Sequence, residues 1–92
     1  MHGDLEAVLE LYAERSKAYL DAERSFRTAK AEFIISLLDP ALRPKRPTEL
    51  EINALVDGNE DLNNKRYIRD MAKVYLDIAK AQLEMLQVAY EQ

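Results

Sequence analysis

Between Arg66 and Glu91 the polar residues fall into one stripe (Arg66, Asp70, Lys73, Asp77, Lys80, Glu84, Gln87, Glu91), and nearly every other position is apolar or Ala. At about 100° per residue this stripe takes roughly a third of a helix circumference and leaves an apolar arc of about 240°. A surface helix buries an arc of only about 100°, so this helix is expected to be covered from at least two sides. A single partner helix cannot do that.

The first half of the chain carries a second pattern. No Pro or Gly interrupts residues 4–38, and Leu5, Tyr12, Tyr19, Phe26 and Phe33 recur every seven residues, with Val8, Ala22 and Ala29 beside them. Large alternates with small, as in a seam where rings insert beside the alanines of a facing helix, with a slight left-handed supercoil. The competing reading is a row of rings for stacking nucleic-acid bases, which requires a positive groove alongside. Packing is preferred, because rings at helical spacing usually form core. Asp4 is the expected N-cap of this helix. Glu23–Arg27, Glu14–Lys17 and Asp21–Arg24 are attractive pairs at helical spacing, and Glu10–Glu14 is a repulsive one. Glu23, Arg27 and Lys30 border the aromatic stripe. They read either as rim salt bridges between subunits or as the limit of what a partner helix covers.

Pro40 ends the first helix, since it disfavours helical geometry at Asp39 and lacks a backbone N–H. With Pro44 and Pro47 it predicts a stiff, extended connection over residues 39–47. Thr48-Glu49-Leu50-Glu51 has the form of a capping box, in which the Thr48 hydroxyl accepts from Glu51 N–H and the Glu51 side chain reaches back. Gly58 is expected to close that short helix in the left-handed conformation, and Asn59 or Asp61 to start the last one.

These elements predict an all-α single domain over residues 1–92, with helices at 4–38, 48–57 and 60–91 and a Pro-rich linker at 39–47. The long helices form an antiparallel hairpin with coiled-coil-like packing, and the middle helix is too short to cover the second side of the last one. Homo-oligomerisation is therefore expected, with Tyr67, Val74, Leu76, Leu83, Val88 and Tyr90 at the oligomer interface. Left wet, they would form an apolar patch of several hundred Å², which soluble monomers seldom carry.

Composition narrows the function classes. A content of 48% hydrophobic and 33% charged residues with 2 Gly suits long helices. The absence of Cys removes disulfides, thiol catalysis and cysteine zinc sites, and suits a reducing cytosol. No apolar run approaches the ~20 residues of a membrane span, and the N-terminus lacks the pattern of a signal peptide. A cytoplasmic location is expected. The net charge of −4 disfavours a general nucleic-acid binder.

One basic run stands out. Arg43, Lys45 and Arg46 lie in the linker, Lys65, Arg66 and Arg69 open the last helix, and an antiparallel hairpin brings all six to one end. A phosphate or nucleic-acid patch is one reading. Within residues 39–70, however, those six cations face seven anions (Asp39, Glu49, Glu51, Asp57, Glu60, Asp61, Asp70), which favours a solvated loop. No catalytic or metal-binding constellation is visible, and no cofactor is expected. His2 is the single histidine, in a terminus expected to fray, and the only glycines are Gly3 and Gly58, so no phosphate-binding loop exists. Glu10 and Glu14 read as a wetted face and not as an acid–base pair.

A long helix, a basic Pro-containing break and then Thr48-Glu49-Leu50-Glu51-Ile52-Asn53-Ala54 leading into a Leu/Ala/Tyr-rich helix resembles small helical accessory proteins encoded in bacteriophage genomes. The likeness runs from about Lys45 to Leu86. It implies an accessory role, either helping recombination or inhibiting a host protein, and transfers no functional residue. The chain is accordingly expected to be a non-enzymatic interaction protein that self-associates and binds another protein. The alternative is an oligomeric DNA-binding accessory factor in recombination or replication.

Overall fold

The computed structural model describes residues 2–91, and of residues 2 and 3 the backbone only. The expectation for the His2 side chain therefore lies outside the described residues. Three helices follow one another: α1 (His2–Leu37), α2 (Glu49–Asp57) and α3 (Glu60–Glu91). There is no strand among the described residues. α1 and α3 pack along their length as a hairpin, giving a rod of 66 × 18 × 18 Å. Its radius of gyration of 19.7 Å is well above the ~13 Å of a compact chain of about 100 residues.

The rod shape dictates how little is buried. Only Phe26, Leu37, Val56, Leu62 and Ala79 are buried among the described apolar residues, together with Pro47 in the linker. The core is concentrated where all three helices meet: Phe26 from α1, Val56 from α2 and Leu62 from α3, with Phe33, Ile34 and Ile52 packed around them. α2 thus plugs the loop end of the hairpin and leaves the outer flank of α3 uncovered.

The aromatic stripe faces inward as its spacing predicts. Phe26 is 7% exposed, and Leu5, Tyr12, Tyr19 and Phe33 are half-buried, as are Val8, Ala22 and Ala29. Helix boundaries also follow the expected ones, with one correction at the start. α1 begins before Asp4, which sits in the first turn instead of capping it, where a carboxylate still favours the exposed N–H groups.

Two local expectations change. The segment after α1 is not extended throughout: the Asp39 carboxylate accepts from Ala41 N–H at 2.9 Å, and its carbonyl accepts from Leu42 and Arg43 N–H at 3.1 and 2.9 Å. Asp39 thereby builds a turn before the prolines take over. Gly58 is not left-handed either, with φ −89° and ψ −2°. Its N–H donates to the Ala54 carbonyl at 3.0 Å in the ordinary helical manner. The break between α2 and α3 is so short that right-handed geometry carries nearly straight through it. What the position limits is space, since a Cβ there would lie 3.3 Å from the Ala54 oxygen.

Both helix starts are capped as their side chains allow. Thr48 Oγ1, in extended backbone, accepts from Glu51 N–H at 3.2 Å. No returning bond to the Glu51 carboxylate occurs among the described residues, so half of the box forms. Asn59 Oδ1 accepts from Leu62 N–H at 2.9 Å and decides the start of α3 in favour of Asn59 over Asp61. Asn63 Nδ2 adds a bond to the Asp57 carbonyl at 3.0 Å, tying α3 back to the end of α2.

Candidate interaction surface

The surface left open on α3 follows from which of its residues α1 takes. Leu62, Arg69, Leu76, Leu83 and Tyr90 form one column at seven-residue spacing, and Lys65, Ala72, Ala79 and Leu86 form its neighbour. Leu62 and Ala79 are buried, and Arg69 reaches the Phe26 ring of α1, so these two columns are the seam. Leu76 and Leu83 are half-buried within it. This corrects the expected interface at two positions: Leu76 and Leu83 lie in the column turned to α1, and the hairpin itself uses them, whereas Tyr90 at the end of that column stays exposed.

Tyr67, Val74 and Val88 point the other way and stay exposed. Beside them the structure adds Ile68, Tyr75, Ile78 and Met85, all exposed, with Met71 half-buried between. These side chains occupy three adjoining columns: the central one, Met71, Ile78 and Met85, lies roughly 130° around α3 from the middle of the seam, with Ile68 and Tyr75 nearer to it and Tyr67, Val74 and Val88 opposite. Met85 is 73% exposed and Tyr67 66%, far outside the range of a core position. The face continues toward α1 as an apolar groove in which Arg15 and Ala18 meet Ile68, Met71 and Tyr75. Arg15 lies over the Tyr75 ring, 5.1 Å from its centroid. The spacing of the rings defines the inward face of α1, and the leucines of one α3 column match it at the same seven-residue interval. Arg69 conceals this in the sequence, because it interrupts an otherwise apolar column.

The six cations separate into two groups. Arg69 Nη2 and Nε donate to Asp70 Oδ1 at 2.9 and 3.0 Å, and its guanidinium lies 4.8 Å from the Phe26 centroid. Arg66 approaches the same ring at 5.4 Å and Asp57 at 3.9 Å, while Lys65 is 3.9 Å from Asp61. The linker cations Arg43, Lys45 and Arg46 are exposed and make no ion pair within 4 Å among the described residues. Beside them Leu42 and Leu50 are also exposed, Leu50 at 80%.

On the polar side of α3, Lys73 Nζ donates to Asp77 Oδ1 at 2.8 Å and lies 5.8 Å from the Tyr19 ring centroid. The hydrogen bond to Asp77 raises the Lys73 pKa above its ordinary value. On α1, Glu23 and Arg27 pair at 3.4 Å as their spacing predicts, while Glu14–Lys17 and Asp21–Arg24 do not close to within 4 Å. Among the described residues no three His, Cys, Asp or Glu side chains gather as metal ligands would, and no helix is long and apolar enough to cross a membrane. Compared with protein families, curated proteins and solved structures, the chain matches none of them.

Proposed function

We propose that this chain is a non-enzymatic interaction protein that self-associates through the outer face of α3 and binds another protein at the loop end of the hairpin. The observation that carries the reading is the outer face itself: seven large apolar side chains between Tyr67 and Val88 stand exposed on a rod too thin to cover them. Contiguous apolar surface of this extent usually marks an association site. A domain of this size also gains stability by oligomerising, because its own core is small.

The loop end offers a different surface. Leu42 and Leu50 are exposed beside Arg43, Lys45 and Arg46, which suits an acidic protein segment with apolar anchors. The resemblance to phage-encoded accessory proteins supports a host factor as the owner of that segment. Three of the six cations are engaged within the chain, by Phe26, Asp57, Asp61 and Asp70, which favours protein binding over the nucleic-acid alternative.

Sedimentation equilibrium at tens of micromolar tests self-association. A dimer or higher species is expected, and a strictly monomeric protein would overturn that half of the reading. For the loop end, wild type and a Leu42→Asp/Leu50→Asp variant are compared in pull-downs from the source cell. A partner retained by wild type and lost by the variant, with sedimentation unchanged, is the expected result. Equal capture by both would remove the loop end as the binding surface.

A further inference from the structure

We infer that two copies pair antiparallel through the outer faces of α3, with the two-fold axis passing beside Ile78, so that two hairpins form a four-helix bundle. The inference rests on the self-association proposed above and adds its partner geometry.

The first argument is area. The seven side chains are between 46% and 73% exposed and run from Tyr67 to Val88, about 32 Å of helix at 1.5 Å per residue, an extent on the scale of a standard interface of ~800 Å² per partner. A second copy of the same face is therefore enough to cover it.

The second argument is self-complementarity. Inverting α3 about Ile78 sets residue 78 opposite itself and Met71 opposite Met85. The same two-fold keeps each flank of the face on its own side, so each column meets its own copy: Tyr67 meets Val88 and Val74 meets Ala81 on one flank, while Ile68 meets Ala89 and Tyr75 meets Gln82 on the other. Large side chains thus meet smaller ones along most of the contact, as close helix packing requires. An axis moved by half a heptad, so that Met71 meets Ile78, would leave Met85 opposite Asn64 and Val88 uncovered, whereas the axis at Ile78 covers all seven exposed side chains. A parallel, in-register pair would set the two flanks against each other, crowding Tyr67 on Ile68 and Val74 on Tyr75 and leaving Ala81 beside Gln82.

The rim tolerates this arrangement. Antiparallel pairing brings Asp70, Asp77 and Glu84 of both copies to one edge, where like charges repel. Asp77 and Asp70 are each held by a cation of their own chain, Lys73 at 2.8 Å and Arg69 at 2.9 Å, which reduces the repulsion.

The natural chain has no cysteine, so single engineered thiols report the register without interference. The test uses Ile78→Cys, Met71→Cys and Met85→Cys in the full chain, each checked for wild-type helicity, treated with a short bis-maleimide and followed by sedimentation. Ile78→Cys alone is expected to cross-link efficiently. Met71→Cys alone and Met85→Cys alone are expected not to, because each thiol lies about 21 Å along the axis from its own copy at 1.5 Å per residue. Their equimolar mixture should cross-link, approaching the half of all dimers that are heterodimers. Cross-linking of Met71→Cys by itself, at the level of Ile78→Cys, would overturn the antiparallel arrangement in favour of a parallel one. Dimeric mass with no cross-link at Ile78→Cys would overturn the register. A monomer at every concentration would overturn self-association itself and leave the outer face to a different protein.

Discussion

The guanidinium of Arg69 lies 4.8 Å from the centroid of the Phe26 ring, where the seven-residue column of α3 would otherwise place a leucine. Arg66 approaches the same ring at 5.4 Å, and Asp70 holds Arg69 through two hydrogen bonds. A long aliphatic stem packs in the seam while the charged head keeps its carboxylate partner at the edge. Phe26 thus joins the apolar plug of Val56 and Leu62 to a polar cluster on α3.

Phe26→Ala removes both functions. It is expected to cost about 3–5 kcal/mol through lost burial and the cavity left behind. At roughly 4–8 °C per kcal/mol for a domain of this size, the melting temperature should fall by more than about 12 °C. Thermal melts at one fixed protein concentration provide the check, since association makes the midpoint concentration-dependent. An unaltered melt at both Phe26→Ala and Phe33→Ala would return the rings to a ligand-stacking role.

The contact between Arg69 and Phe26 can be isolated. Arg69→Ala should cost about 1–2 kcal/mol, combining cation–π attraction with packing of the stem. In a double-mutant cycle with Phe26→Leu, a coupling of at least about 0.5 kcal/mol is expected, because the two side chains touch. Arg69→Lys should recover only part of the loss, since an ammonium is a compact charge with no planar face to lay on the ring. Urea denaturation of the four proteins of the cycle measures the coupling, and simple additivity would show that the contact carries no energy of its own.

Much of this fold is legible in the sequence because its signals are long or chemically specific. The ring spacing from Leu5 to Phe33 repeats often enough to define a face, and Thr48 and Asn59 announce helix starts through side chains that satisfy free N–H groups. The conformation of Gly58 was not legible: glycine after a helix usually turns left-handed, but here the next helix starts immediately and the backbone never needs positive φ. The division of the apolar face of α3 was only half legible. A broad apolar arc shows that two sides need cover, whereas which columns α1 takes depends on rotation about the helix axis. Arg66 and Arg69 were missed as packing residues because a cation is read as solvent-facing, although a guanidinium can lie flat on a ring.

Gly58 provides a sharp test of that correction. With negative φ, Gly58→Ala incurs no left-handed penalty and restricts the unfolded chain, which favours folding by about 0.4–1 kcal/mol. The 3.3 Å approach of the new Cβ to the Ala54 oxygen opposes this. The net change expected is within about 1 kcal/mol of zero by denaturant titration. A larger loss would indicate that the position needs a left-handed residue after all.

Lys73 predicts a pH effect with a defined sign. Its pKa is raised above 10.5, chiefly by the hydrogen bond to Asp77 and then by the charge of that carboxylate. A group whose folded pKa is raised contributes stability that is fully present below its unfolded value and is lost as pH rises through the folded one. The difference in stability between wild type and Lys73→Gln should therefore be constant from neutral pH to about pH 10 and shrink above it. A difference that grows with alkaline pH would contradict the assignment.

The three linker cations separate the protein-binding and nucleic-acid readings most cleanly. Arg43, Lys45 and Arg46 are exposed and unpaired among the described residues, so replacing all three with Ser should leave melting and sedimentation unchanged. Short single-stranded DNA is the appropriate probe, titrated at about 50 and 200 mM salt, because each phosphate contact steepens the fall of affinity with salt. No retardation of the DNA by wild type is expected at either concentration, in keeping with a net charge of −4. Self-association should respond to salt in the opposite direction: the rim carboxylates of paired α3 helices repel, screening weakens that repulsion, and added salt should strengthen the dimer modestly. A protein that retards DNA at low salt, loses it at higher salt and loses it again in the triple Ser variant would make the linker a phosphate-binding element and the DNA-accessory reading the better one.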